Sequence, residues 1–81
     1  MALAEMQRAV EARVREQIER HLRINPTGSV RRIVEMQMEQ ERESLETLID
    51  QADEDPAKAE VLFALMAWLP QLEQQLKRRA R

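Results

Sequence analysis

Two groups of basic residues, one acidic face and a lone histidine are the parts of this sequence with chemistry to offer. Arg20 and Arg23, then Arg31 and Arg32, flank the segment Asn25-Pro26-Thr27-Gly28-Ser29 with no acid among them. Lys77, Arg78, Arg79 and Arg81 form the second basic group. Guanidinium groups beside a helix start, where backbone N–H groups point outward, suit phosphate or carboxylate anions. The commoner use of surface arginines is ion pairing with acids of the same chain or a second subunit. Base stacking adds little to a nucleic-acid reading, because the two aromatics, Phe63 and Trp68, both sit in an apolar run.

Glu39, Glu43, Glu46 and Asp50 recur at i, i+4, i+7 and i+11, so a helix carries them on one face. Such a face can meet a cation or a basic partner, although a solvated face is commoner. Arginines at 8, 13, 15, 20 and 23 are the expected intrachain partners. His21 is the single histidine, and there is no cysteine or tyrosine, so most nucleophile–base arrangements cannot be assembled. Glu16 stands five residues before His21, which is not the Glu-x-x-His spacing of di-iron bundles. His21 is therefore expected to face solvent. No catalytic residue, cofactor or metal ligand set is expected, and the chain reads as a non-enzyme.

The elements that carry these residues are helices. Charged residues make up 35% of the 81 and aromatics 2%, with one glycine, and the common residues are strong helix formers. The pattern predicts an all-α single domain over 1–81, with three long helices at about 2–24, 29–53 and 56–80 in an antiparallel bundle. Leu3, Met6, Val10, Val14, Ile18 and Leu22 give the first helix one narrow seam. Pro26 ends it by forcing Asn25 out of the α region, Gly28 is free to take positive φ, and Thr27 or Ser29 can cap the second helix. Asp55 and Pro56 open the third as N-cap and first helical residue, and Pro70 is expected to kink or divide it.

The second helix has a gap. Its apolar face, Val30, Ile33, Val34 and Met38, resumes at Leu45, Leu48, Ile49 and Ala52, with six polar residues between Glu39 and Ser44. The expectation is that another chain supplies polar partners there, or that the helix leans away from the core and leaves the centre of the third helix uncovered.

From Val61 to Leu69 every residue is apolar, right round the helix, whereas an outer helix of a small bundle needs only one apolar stripe. With Phe63, Met66 and part of Trp68 left outside, the run predicts a homodimer completed through Val61, Leu62, Phe63, Leu65, Met66, Trp68 and Leu69. Self-association also suits a chain this small, since no disulfide reinforces its core.

The net charge of −2 hides segregation, since residues 35–55 hold nine acids and one arginine. No signal-peptide pattern opens the sequence and nine apolar residues cannot span a bilayer, so no membrane association and a cytoplasmic setting are expected. Eleven arginines against two lysines suggest a GC-rich bacterial or phage genome. The function expected is that of a small interaction or adaptor protein, self-associating through its third helix and meeting a protein partner through charged faces. The alternative is a nucleic-acid-associated regulator contacting phosphates through Arg20, Arg23, Arg31, Arg32 and the basic C-terminal residues.

Overall fold

The computed structural model describes residues 3–79, with side chains through Arg78. Three helices pack against one another: α1 (Leu3–Ile24), α2 (Val30–Gln51) and α3 (Pro56–Arg79). The rod measures 45 × 19 × 16 Å. No strand occurs among the described residues.

The breaks fall where the sequence places them, with chemistry that explains each. The backbone N–H of Asn25 still donates to the His21 carbonyl at 2.8 Å, and Pro26 then stops α1. Gly28 N–H closes a turn onto the Asn25 carbonyl at 3.0 Å. Its φ is not positive, so the freedom of glycine to take such a value is not used here. The position is close-set: a Cβ would lie 3.1 Å from Asn25 Nδ2 and 3.2 Å from the Asn25 carbonyl oxygen, so a larger residue would need Asn25 to give way by a few tenths of an ångström. Ser29 caps α2, its hydroxyl oxygen accepting from the Arg32 N–H at 3.4 Å. Helix α2 ends at Gln51, with Ala52 N–H donating to the Ile49 carbonyl at 3.1 Å. Asp55 Oδ1 accepts from the Lys58 N–H at 3.2 Å, the cap expected of Asp-Pro. Pro70 does not divide α3, which runs unbroken to Arg79.

All three helices feed one core. Val10, Val14 and Ile18 come from α1; Val34, Met38 and Leu45 from α2; Leu62, Leu65, Leu69, Leu72 and Leu76 from α3. The α3 leucines follow a 3-4-3-4 spacing, the knobs of a helix seam. That seam lies hidden inside the apolar run and could have been separated from it by residue type, because every buried member is leucine. Helix α2 packs most extensively against α3. With Leu65 and Leu69 buried at its middle, the centre of α3 is not left uncovered as expected.

The polar gap in α2 is filled from within the chain. Gln37 and Glu41 are buried and continue the seam of Val34, Met38 and Leu45. Arg13 of α1 grips Glu41 with a two-pronged fork, Nε to Oε1 at 2.8 Å and Nη2 to Oε2 at 2.7 Å. Neither a second chain nor a leaning helix is needed. A carboxylate is tolerable in the seam because both of its oxygens accept from one guanidinium.

Candidate interaction surfaces

The basic residues come from three separate stretches, and two cross-helix contacts bring those stretches together. His21 and Gln37 meet at 3.1 Å between Nε2 atoms, tying the end of α1 to α2. Lys77 Nζ donates to Glu35 at 2.8 Å and to Glu73 at 2.9 Å, tying the end of α3 to the first turns of α2. His21 is thus half-buried and hydrogen-bonded across helices, correcting the expectation of a solvent-facing side chain.

At this end of the rod Arg20 pairs with Glu16 at 3.3 Å within its own helix. Arg23, Arg31, Arg32 and Arg78 are exposed, and none forms an ion pair with a described residue. Arg79 and Arg81 have side chains outside the described residues. Lys77 holds the Glu35 carboxyl below its ordinary range by hydrogen bonding, and the charges of Lys77, Arg31 and Arg32 act in the same direction. Lys77 is raised in turn by its hydrogen bonds to Glu35 and Glu73. The α2 N-terminus offers no vacant N–H at Arg32, because Ser29 accepts from it.

The acidic face of α2 is not paired with α1 as expected. Glu39, Glu43, Glu46 and Asp50 are all exposed, and Glu39 pairs with Arg42 of its own helix at 3.1 Å. Arg15 turns to Glu11 at 2.8 Å, and Arg13 reaches the buried Glu41 instead of that face. Hydrogen bonding to Glu41 raises the Arg13 guanidinium further above its ordinary range, against an opposing effect of burial. Asp53, Glu54 and Asp55, also exposed, extend the acidic surface into the turn before α3. Among the described residues no three potential ligands gather in a metal-binding geometry. No described helix is long and apolar enough to cross a membrane.

The apolar run of α3 separates into two sides. Leu62, Leu65 and Leu69 belong to the chain's own core, while Val61, Met66 and Trp68 are half-buried at its edges. Met66 and Trp68 pack against the core, so they are less available than expected. Phe63 alone among the large residues of the run stands outside, 57% exposed. The other exposed positions between Glu60 and Arg78 are Ala64, Ala67, Pro70, Gln71, Gln74 and Gln75. None is charged, in a chain where about one residue in three is. A second apolar feature is a shallow groove between α1 and α2, floored by Leu62 and Leu65, with Met6, Ala9, Leu45 and Leu48 along its sides. Compared with known proteins, the chain matches no family model, no curated protein and no solved structure.

Proposed function

We propose that this protein is a non-enzymatic helical interaction protein that self-associates through the outward face of α3 and presents its charged ends to a protein partner. One observation carries the reading: the exposed face of α3 between Glu60 and Arg78 bears no charge and carries Phe63 on its flank. A solvated helix face in so charged a chain would ordinarily be laced with Glu, Lys and Arg. We also read the three helices as antiparallel neighbours. The pairs Arg13–Glu41 and His21–Gln37 support that order for α1 and α2, because the partner's number falls as the residue's rises, and Glu35–Lys77 supports it for α2 and α3 by setting the start of one beside the end of the other.

The test is light scattering on the wild type and on Phe63→Glu. Phe63 lies outside the core, so the substitution leaves the fold intact and acts on association. A single helix face is at the small end of specific interfaces, so association in roughly the micromolar range is the expected strength. The variant should run at the monomer mass of 9.6 kDa with unchanged helicity. A wild type that stays at that mass across micromolar to millimolar concentrations defeats the proposal.

A second reading draws on the gathering of Arg23, Arg31, Arg32 and Arg78 at one end, where they suit the phosphates of a nucleic acid. Binding of this kind weakens steeply with salt, with a log–log slope of about −0.9 per phosphate neutralised on duplex DNA. Arg31→Ala with Arg32→Ala should flatten that slope by nearly two. Absence of binding at low salt removes this reading.

A further inference from the structure

The surface of α3 has a polarity along its length. It begins at the acidic turn Asp53, Glu54 and Asp55, passes Lys58 and Glu60, crosses the uncharged face, and reaches Arg78. All of these residues are exposed. We infer that the partner of this face is a second copy in antiparallel orientation, with the two-fold axis between Ala64 and Ala67. The inference rests on the self-association proposed above and adds its geometry.

Charge decides the direction. A parallel pair would bring the three acids of the turn against the same three acids of the other copy, and Arg78 against Arg78. An antiparallel pair sets the acidic turn of each copy beside the Arg78 end of the other. Over contacts within a Debye length of about 8–10 Å, that difference decides the orientation.

Side-chain shape decides the register. Antiparallel partners across a two-fold have residue numbers of constant sum. Placing Ala64 on the partner's Ala67 brings the two helices together where both copies carry only a methyl group, which permits close approach. The same register sets Glu60 against Gln71, a carboxylate facing an amide that can donate to it. Phe63 falls beside the partner's Ala67 and Trp68. Arg78 falls opposite Asp53, since at 1.5 Å per residue Arg78 lies about 19 Å from the axis and Pro56 about 14 Å, with the turn just beyond. Three independent pairings, steric, hydrogen-bonding and ionic, thus agree on one register.

The chain has no native cysteine, so introduced ones report orientation directly. Glu60→Cys and Gln71→Cys change exposed positions, and both are tested singly and together in the full chain under mild oxidation, beside light scattering of the unmodified protein. The antiparallel dimer predicts that the two single variants, mixed, form a disulfide joining position 60 of one copy to position 71 of the other, and that neither links efficiently to itself. Self-linking would require bridging about 16 Å along the axis, far beyond the Cα separation of about 7 Å that a disulfide permits. A dimer in which each single variant links to itself overturns the antiparallel arrangement and leaves self-association standing. A dimer in which no pair links overturns both the register and the use of α3. A wild type that is monomeric throughout overturns the self-association itself. As a second measurement, Arg78→Glu should weaken the dimer about tenfold at low salt, and adding Asp53→Arg should restore it. Failure of that restoration, with the fold intact by circular dichroism, counts against the ionic pairing.

Discussion

Arg13 and Glu41 show how a charged residue holds a place in a helix seam. The Glu41 side chain is 11% exposed, whereas that of Arg13 is 55% exposed, so the acid depends on the base far more than the reverse. Removing the guanidinium strands a carboxylate in the core. Arg13→Ala should therefore cost about 1–3 kcal/mol in urea denaturation. Glu41→Leu restores an apolar seam and should be near neutral or stabilising, because Arg13 can return to water. A double-mutant cycle that yields no coupling would show the fork to be incidental. Glu35 and Lys77 make a different case, because Glu35 is exposed and Lys77 only half-buried, which leaves the pair open to screening. The folded-state pKa of Glu35 is depressed, so its contribution is present above the ordinary glutamate value of about 4.3 and is lost as pH falls through the folded value. The pKa of Lys77 is raised, so its contribution holds below the ordinary lysine value of about 10.4 and is lost as pH rises through the folded value. The difference in Tm between wild type and Glu35→Gln should be flat through neutral pH, shrink in acid, and diminish with salt. A difference that grows in acid would contradict this pairing.

At the level of the helices, much was legible in the sequence. Proline, glycine and capping residues have local effects, so the breaks near 25–29 and 52–55 follow from short stretches without knowledge of the fold. Asp55→Ala should accordingly cost about 1 kcal/mol by loss of the cap on Lys58 N–H, measured as a fall in Tm with helix content retained. A Tm equal to wild type would mean that Pro56 alone sets the start of α3. What was not legible depends on register between distant segments. Glu41 reads as a surface residue because a carboxylate is buried only when a partner arrives, and Arg13 arrives from 28 positions away. The polar stretch of α2 consequently looked like a gap. The sequence places His21 in solvent for the same reason, since Gln37 lies on another helix. The two sides of α3 were blurred because Val61–Leu69 is apolar all round, and periodicity fails where no polar residue marks the outside. Leucine identity carried the information instead.

For the molecule as a whole, segregation of charge becomes polarity of the rod. The arginines of residues 20–32 and Arg78 gather at the end fixed by Lys77–Glu35 and His21–Gln37. Between residues 43 and 60, seven acids stand against Lys58 alone. A molecule with oppositely charged ends orients approaching partners before contact, and the effect falls with ionic strength.

The unequal packing of the three helices has a dynamic consequence. Helix α2 packs most extensively against α3, while α1 is held by Val10, Val14 and Ile18, by the half-buried Leu3, Met6 and Leu22, and by the Arg13–Glu41 and His21–Gln37 contacts. Native-state hydrogen exchange should therefore divide the chain into two cooperative units. Amides of α1 should exchange through a sub-global opening of lower free energy, and those near Met38, Leu65 and Leu69 only through complete unfolding. Arg13→Ala should accelerate exchange across α1 while leaving its spread along α2 and α3 unchanged. Uniform protection in all three helices would mean that the rod opens as one body. If α1 is the first to part, the opened state is an α2–α3 hairpin with Val34, Met38 and Glu41 newly wetted, and that hairpin is the species a protease would meet first.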